Sequence, residues 1–347
     1  VCSSDLFPHN ADLEGLEEYI VGLNDLNVDA IIVSDPSIIM TAKEVAPDLE
    51  IHLSTQANNV NWKSAKFWHS LGVKRIVLAR ELSFKEIEKI HENLPEDCDL
   101  EAFVHGSMCM AYSGRCLISN YMTGRDSNRG ACSQACRYKY YLMEEKRPGE
   151  YFQVIEDDKG TYIMNSKDLC MIEYIPELVK SGIYSFKIEG RMKSPYYVAA
   201  IVKAYREALD KYWDDPEGYE FDQKLMDNLL KVSHRRYHTG FYFGKSGEQV
   251  YESSSYIRDY DIVGVVRDYN EETKVATIEQ RNRLFEGDTV EVLTPVGDYY
   301  EIQMNDMKDE KDEKIDVANK AQMIFKVKID KPVKVNDMLI KCKEANS

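Results

Sequence analysis

The sequence predicts an α/β fold, in which a (β/α)8-type barrel is followed by a small C-terminal β-barrel domain. Two observations carry this prediction. Through residue 213, short apolar strands alternate with amphipathic helices at a period of about 25 residues, which is typical of parallel βα units. After residue 258, six short β-like runs are separated by turn residues, which is typical of a small antiparallel domain.

Apolar runs predict five strands of the parallel type. The strands are residues 29–33, 50–53, 75–78, 100–104 and 184–188. The helices are residues 11–26, 36–45, 61–71, 83–93, 172–180 and 195–212, and residues 152–155 and 161–164 are expected to form a hairpin. Pro36 in a first turn, Ser83 as an N-cap and Gly72 after a helix end support these assignments.

The start of the chain predicts a truncated barrel. A complete barrel has eight strands, so about three are missing from the pattern. The chain begins without Met and runs from Phe7-Pro8-His9-Asn10 directly into a helix. We therefore expect the barrel to be truncated at its N-terminus.

The second half predicts a connector and a β domain. A helix at 222–230 is followed by a basic, aromatic loop at 233–241, and residues 307–316 are expected to be a charged loop. The β-like runs are 262–266, 274–278, 288–293, 299–304, 322–327 and 337–341. The predicted domains are thus a partial barrel at 1–213 with a cysteine-rich segment at 105–141, a helical and basic connector at 214–258, and the β domain at 259–347.

Composition limits the function classes. The net charge of -16 argues against a diffuse attraction to nucleic acid over the whole surface, although a local basic groove remains compatible with it. Hydrophobic residues make up 44% and charged residues 30%, and no apolar run approaches the ~20 residues of a membrane-spanning helix. We expect a soluble, cytoplasmic protein.

Four of the eight cysteines lie close together, at Cys109, Cys116, Cys132 and Cys136. Clustered thiols in an intracellular chain point to metal or redox chemistry, since four thiolates can bind one zinc ion or one iron–sulfur cluster. The spacing does not decide between these two. Cys170 is an alternative ligand, but a single Cys at the start of an amphipathic helix is more often a small core residue.

The same segment is basic and aromatic within an acidic chain. Between Cys109 and Tyr141 there are five basic residues and one acid, Asp126. Arg115 and Arg125 are candidate contacts for a polyanion, and stacking on bases is open to Tyr112, Tyr121, Tyr138, Tyr140 and Tyr141. Packing around a metal centre is the alternative role for these side chains.

Three blocks resemble the peptidase U32 family. The first runs from His105-Gly106-Ser107-Met108-Cys109 through Gly114-Arg115-Cys116 to Cys132-Ser133-Gln134-Ala135-Cys136-Arg137. The others are Asn165-Ser166-Lys167-Asp168-Leu169 and Lys187-Ile188-Glu189-Gly190-Arg191-Met192-Lys193. The pattern is similar to the subgroup of prephenate-dependent tRNA hydroxylation proteins.

The resemblance implies a specific activity. It implies formation of 5-hydroxyuridine at the tRNA wobble position, prephenate as a co-substrate, and an iron–sulfur cluster, 4Fe–4S, on the four cysteines. Relatives hydroxylate ribosomal RNA or ubiquinone, and a few were described as collagenases. The chain has no local protease pattern such as Gly-x-Ser-x-Gly or His-Glu-x-x-His, so proteolysis is the weaker alternative. A structural zinc protein that binds RNA is the third possibility, and a paralogous subunit is an expected partner.

Barrel geometry predicts the remaining site residues, because active sites lie at the carboxyl ends of barrel strands. Gln56, Arg80, His105, Glu189 and Arg191 follow predicted strands. Guanidinium groups bind dicarboxylates in a forked geometry. The predicted anion ligands are therefore Arg80, Arg115 and Arg191, with Lys187 and Lys193 nearby. His105 and Glu189 are the candidates for proton transfer.

Overall fold

The computed structural model describes residues 2–4, 8–108, 116, 118–125, 127, 130–137, 141–142, 148–149, 152–153, 167–244 and 257–343. Its contacts divide the chain into two compact units. The first unit contains Val1–Glu189 and Arg235–Ser255, and the second contains Gly190–His234 and Tyr256–Ser347. The helix predicted at 195–212 as part of the barrel groups with the second unit.

The first unit is a mixed α/β structure around an eight-stranded sheet that curls as a half-barrel. Its strands are β1 (Cys2–Ser4), β2 (Ala30–Val33), β3 (Glu50–Leu53), β4 (Arg75–Val77), β5 (Asp99–Ser107), β8 (Asp168–Cys170), β9 (Ser185–Ile188) and β10 (Tyr237–His238). A separate antiparallel pair is formed by β6 (Tyr141–Leu142) and β7 (Phe152–Gln153). Strands β1 to β5 pair in parallel in chain order.

The helices of the first unit are α1 (Leu16–Asp25), α2 (Pro36–Val45), α3 (Trp62–Ser70), α4 (Phe84–His91), α5 (Ile118–Thr123) and α6 (Ile175–Lys180). Short 3-10 helices are Asn10–Leu13, Thr55–Ala57, Ala135–Arg137 and Ile172–Tyr174. The predicted end signals are confirmed, since Ser83 and Glu86 form a capping box at α4 and Gly72 has φ +87 after α3.

The central strand β5 has three partners. It pairs in parallel with β4 and β9 and antiparallel with β8. All five predicted strands are present, but β1, β8 and β10 were not predicted. The predicted hairpin is corrected as well, because β7 pairs with β6, while residues 161–164 lie outside the described residues.

The two faces of this sheet differ in polarity. Side chains alternate between faces along each strand. One face carries apolar side chains that are almost fully buried, including Ile31, Val33, Ile51 and Ile76. Burying each such side chain stabilises the fold by about 1.5–3 kcal/mol. The register places Arg75, Glu101 and Lys187 on the opposite face, which is therefore charged.

The second unit contains two helices and an antiparallel β domain. The helices are α7 (Pro195–Asp214) and α8 (Gln223–Leu230). A seven-stranded sheet has the order β15-β14-β19-β11-β12-β18-β16, and β13 pairs with β17. These strands are β11 (Tyr260–Asn270), β12 (Val275–Gln280), β13 (Leu284–Phe285), β14 (Thr289–Leu293), β15 (Tyr300–Gln303), β16 (Asn305–Asp309), β17 (Val317–Ala318), β18 (Ile324–Lys328) and β19 (Met338–Cys342).

All six predicted runs of this domain are strands. The predicted charged loop at 307–316 is partly wrong, because β16 extends to Asp309. The core of the domain is formed by fully buried residues, among them Val266, Ile278, Val292 and Phe325. Among the helices that the structure describes, none combines the length and the apolar character needed to cross a membrane.

Candidate functional site

The predicted strand-end residues collect at one edge of the first unit's sheet. Gln56 follows β3, Arg80 follows β4, and Glu189 follows β9 directly. These three strands run in the same direction, so their carboxyl ends lie at the same edge. His105 differs from the prediction, since β5 continues to Ser107 and His105 lies within the strand.

Arg80 is held in one orientation by three contacts. Its Nη1 donates to the carbonyl oxygen of Ser107 at 3.0 Å, and its Nη2 lies 3.7 Å from Oε2 of Glu189. The guanidinium carbon lies 3.8 Å from the centre of the Phe103 ring, which is a cation–π contact. The side chain is 13% exposed. A fixed and largely buried guanidinium is well suited to binding a carboxylate.

Lys187 is part of an internal charged layer, which we define as Arg75, Glu101 and Lys187. Its Nζ lies 2.7 Å from Oε1 of Glu101, and Arg75 Nη1 lies 3.8 Å from Oε2 of the same carboxylate. Ser185 donates a further hydrogen bond to Glu101 at 2.9 Å. The Lys187 charge is thus balanced within the protein, and its predicted role as an anion ligand stays a prediction.

The two predicted proton-transfer residues are neighbours across β5 and β9. The backbone N–H of Glu189 donates to the carbonyl oxygen of His105 at 2.9 Å. The His105 ring is 1% exposed and lies 5.2 Å from the Tyr237 ring. Between them Gly106 has φ +111, and a Cβ there would lie 2.5 Å from the Glu189 carbonyl oxygen. Only glycine fits this close approach.

The turn after β3 contains three carboxamides, and we call residues 54–59 the carboxamide turn. Thr55 Oγ1 donates to the carbonyl oxygen of Leu78 at 2.9 Å, and the Ala79 N–H donates to the carbonyl oxygen of Asn59 at 3.3 Å. These bonds fix the turn to the chain just before Arg80. Asn59 is 1% exposed and Gln56 is 7% exposed.

Four polar atoms of the carboxamide turn have no hydrogen-bond partner among the described residues. They are Gln56 Oε1, Asn58 Oδ1, Asn59 Nδ2 and Asn59 Oδ1. An unmade hydrogen bond of a buried group costs about 1–3 kcal/mol. Gln56 was predicted as a binding residue, whereas Asn59 was missed because no sequence pattern marks a buried turn carboxamide.

Strands β8 and β10 add residues that sequence reasoning missed. Asp168 is fully buried, and its Oδ2 accepts from the Arg235 N–H at 3.2 Å. Tyr242 donates its hydroxyl to the carbonyl oxygen of Phe103 at 2.7 Å, and burial raises the pKa of this phenol above its usual value. Burial, with the Lys167 charge second, lowers the pKa of His238. The basic sequence at 235–238, which was predicted as part of a loop, therefore includes a buried Arg235 and a strand.

The cysteine-rich segment is described only in part. Cys116 and Cys136 are buried and Cys132 is half-buried, whereas Cys109 lies outside the described residues. Ser119 Oγ contacts both the Arg125 carbonyl and Ser133 Oγ, at 2.7 and 2.9 Å, and so joins the two halves of the segment. None of the cysteines that the structure describes forms a disulfide.

The donor chemistry of this segment fits a thiolate-bound metal centre, but the ligand set stays a prediction. In the described part of the chain, no three His, Cys, Asp or Glu side chains form a group that could hold a metal ion. Cys170, the alternative ligand, is buried in β8 opposite His105, and not at a helix start as the sequence suggested. It is thus next to a predicted site residue.

The remaining predicted residues are placed as follows. Arg125 is exposed after α5, on which Tyr121 is 89% exposed. Arg191 and Lys193 belong to the second unit, where Lys193 donates to the Ser233 carbonyl at 3.5 Å. Outside the described residues lie Arg115, Tyr112, Tyr138, Tyr140 and the side chain of Tyr141.

Two family models match the chain. The model of peptidase family U32 matches residues 1–252, and the model of the peptidase family U32 C-terminal domain matches residues 258–339. The chain belongs to peptidase family U32. This confirms the resemblance carried by the three sequence blocks.

Named relatives of this U32 chain fall into two groups. It is 42% identical to "tRNA hydroxylation protein P1" of Bacillus subtilis over 98% of this chain and 81% of the relative. It is 39% identical to "tRNA hydroxylation protein P" of Escherichia coli over 84% of this chain and 73% of the relative. It is also 32% identical to "Collagenase" of Porphyromonas gingivalis over 83% of this chain and 70% of the relative.

Proposed function

We propose that this U32 chain is a cytoplasmic tRNA hydroxylase that forms 5-hydroxyuridine at the wobble position in a prephenate-dependent reaction. The observation that carries the proposal is the 42% identity, over nearly the whole chain, to a relative named as a tRNA hydroxylation protein. The strand-end edge of the first unit supplies the groups such a reaction needs. The first unit, in this proposal, belongs to a (β/α)8-type barrel, which its parallel strand order supports.

Arg80 is the proposed ligand for a carboxylate of the co-substrate. The Ser107 carbonyl and the Phe103 ring orient its guanidinium before any ligand arrives. Preorganised donors lose little conformational entropy on binding. Arg115 is the proposed partner for a second carboxylate, and the predicted roles of Arg191, Lys187 and Lys193 as anion ligands stay predictions.

Glu189 and His105 are the proposed proton-transfer groups. Replacing the C5–H of uridine by C5–OH is a two-electron oxidation, so the proposed reaction needs an oxygen donor and an electron acceptor besides a base. A carboxylate beside a fixed guanidinium can take up the proton lost from C5. Glu189 is 31% exposed and lies 3.7 Å from Arg80, so it is within reach of a ligand that contacts the same guanidinium. His105 is 1% exposed, and its backbone carbonyl accepts from the Glu189 N–H, which holds the two proposed groups next to each other.

Cys109, Cys116, Cys132 and Cys136 are the proposed ligands of an iron–sulfur cluster. A thiolate-bound 4Fe–4S cluster supplies single-electron transfer when it is present. The protein's own contribution is to keep the thiols reduced and shielded from solvent, which the burial of Cys116 and Cys136 supports. Cys170 in place of Cys136 or Cys132 is the competing ligand set.

Anaerobic purification tests the cluster and its ligands together. We expect a brown protein with about four irons per chain. Cys132→Ser and Cys136→Ser should each lose the visible absorbance, whereas Cys170→Ser should keep it. The reverse pattern would assign Cys170. A colourless protein that binds zinc would favour a structural zinc protein that binds RNA.

The tRNA partner is supported by the basic cysteine segment. Arg125 is exposed and Tyr121 is almost fully exposed, which gives one phosphate contact and one stacking surface. A paralogous U32 subunit is a proposed additional partner.

Nucleoside mass spectrometry tests the reaction. An Escherichia coli strain deleted for its tRNA hydroxylation protein P, grown without oxygen and expressing this chain, should regain 5-hydroxyuridine in tRNA. Absence of the product with a folded, cluster-loaded protein would contradict the proposal. If the modified nucleoside appeared instead in ribosomal RNA, the rRNA hydroxylase alternative would replace it.

Peptidase activity is the second candidate, because one relative is named as a collagenase. It predicts hydrolysis of gelatin by the purified chain, and hydrolysis that survives replacement of the four cysteines. A cluster enzyme predicts no hydrolysis.

A further inference from the structure

The carboxamide turn has unusual hydrogen bonding for a buried structure. Buried polar side chains nearly always have a partner. Asn59 is 1% exposed, yet both its amide nitrogen and its amide oxygen have none among the described residues. Gln56 Oε1 and Asn58 Oδ1, in the same turn, also have no hydrogen-bond partner among the described residues. Four unsatisfied atoms in one turn indicate a ligand that is absent.

The position of the turn is that of a binding site. It follows the carboxyl end of β3 and is fixed by Thr55 and Asn59 to Leu78 and Ala79. Arg80, the proposed carboxylate ligand, is the next residue. In parallel sheets, ligands bind beyond the carboxyl ends of strands.

The donor and acceptor balance identifies the class of ligand. The unsatisfied atoms are three oxygens, which accept, and one nitrogen, which donates. A carboxylate offers only acceptors and would satisfy just Asn59 Nδ2, while being repelled by the oxygens. A uracil base presents an N–H next to a C=O, so one carboxamide can bind it through two hydrogen bonds. Carboxamides pair with base edges in this bidentate way elsewhere.

We propose that the carboxamide turn binds the imide edge of the uracil base, with Asn59 as its two-bond partner: Asn59 Oδ1 accepts from the imide N–H and Asn59 Nδ2 donates to the adjacent carbonyl oxygen. The inference rests on the proposed function, because it assigns the nucleoside and the dicarboxylate to neighbouring subsites. The carboxamide turn binds the neutral base, and Arg80 binds the charged co-substrate. Since Asn59 is 1% exposed, the side chains that cover it move when the base enters.

Binding of two short RNAs tests this assignment. The probes are an anticodon stem-loop with uridine at the wobble position and the same RNA with 3-methyluridine, which lacks the imide N–H. The full-length chain should bind the unmodified RNA about tenfold more tightly, as expected for one two-bond base contact. Asn59→Leu should remove this preference without lowering the melting temperature, since an apolar side chain of similar size removes the two unsatisfied atoms of Asn59 and adds none. Asn24→Leu, at an exposed position of α1, is the matched control and should bind as wild type.

The outcomes separate the inference from the proposed function. If wild type binds neither RNA, the tRNA substrate itself is contradicted. If wild type prefers uridine and Asn59→Leu keeps that preference, the proposed function stands and the assignment of the turn is overturned. If Asn59→Leu melts several degrees lower, Thr55→Val, which releases the turn from the Leu78 carbonyl, decides: a reduced preference for uridine supports the turn as the base subsite, and an unchanged preference overturns it.

Discussion

The carboxamide turn and the charged layer are both buried and polar, but among the described residues the turn has four buried polar atoms without a partner and the layer has one, Arg75 Nε. In the charged layer, one carboxylate, Glu101, receives Lys187 at 2.7 Å, Ser185 at 2.9 Å and Arg75 at 3.8 Å. In the carboxamide turn, four polar atoms have no partner among the described residues. Paired polar groups stabilise a fold, whereas unpaired ones reduce its stability and are retained where a ligand completes them. We therefore assign a structural role to the charged layer and a ligand-binding role to the carboxamide turn.

Breaking the charged layer should have the largest effect on stability. Glu101→Gln keeps the volume but leaves Lys187 without its carboxylate, whereas Arg75 keeps Asp99 at 2.9 Å. Removal of one partner of a buried pair is strongly destabilising, and partial exposure of Lys187 and Arg75 reduces the cost, so we expect a loss of about 2 kcal/mol. Urea denaturation measures it.

The control for this prediction is Glu92→Gln. Glu92 pairs with Lys89 on the surface at 3.2 Å, and both side chains are more than half exposed. Exposed pairs contribute ~0–1 kcal/mol. Equal losses in the two variants would show that the charged layer is not the structural element proposed.

Releasing the carboxamide turn should have a smaller effect on stability. Thr55→Val removes the hydroxyl that donates to the Leu78 carbonyl at 2.9 Å and keeps the side-chain shape. The expected loss is about 1 kcal/mol, the usual contribution of one hydrogen bond. Binding of the uridine stem-loop should weaken more than this stability change implies, because the turn loses its fixed position. Unchanged RNA affinity would argue against the turn as a binding element.

The smallest expected effect concerns pH and His238. Its folded-state pKa lies below its unfolded value, so the unfolded chain binds the proton more readily. The stability contributed by the neutral imidazole is therefore complete above pH ~6.5 and falls as the pH decreases below that value. His238→Asn preserves an acceptor for the Gly240 N–H, which lies 3.2 Å from Nδ1, but cannot titrate.

Unfolding free energies at pH 7 and pH 5 check this prediction. Wild type should lose more stability between these values than His238→Asn. If both proteins lost the same unfolding free energy between pH 7 and pH 5, the titrating group would lie elsewhere.

The sequence predicted the secondary-structure elements better than the contacts between them. Local periodicity was sufficient for five strands of the first unit and six of the second, and the capping residues Ser83 and Gly72 were also predicted correctly. Strands β8 and β10 have three and two residues and depend on pairing with distant segments. Such short strands have no periodicity of their own, so they could not be predicted.

The site was predicted by residue type but not by arrangement. Strand-end logic correctly placed Gln56, Arg80 and Glu189 at one edge. It misplaced His105, because the register of β5 against β9 shifts between Phe103 and His105 and the strand continues. Bulges of this kind depend on tertiary pairing and change which face later side chains occupy. The neutralisation of Lys187 by Glu101 likewise depends on strand register, which no local pattern reveals.

Arg80→Lys tests directly whether the strand-end edge of the first unit carries the proposed tRNA hydroxylation. The variant keeps the positive charge but loses the fork and the stacking on Phe103. Arg206→Lys, at an exposed position of α7, is the matched control. The variants are compared in the complemented Escherichia coli strain at equal protein levels and melting temperatures. We expect Arg80→Lys to reduce 5-hydroxyuridine in tRNA at least about tenfold, because a charged two-bond contact is lost. Wild-type levels of the nucleoside in that variant would contradict the proposed role of the strand-end edge.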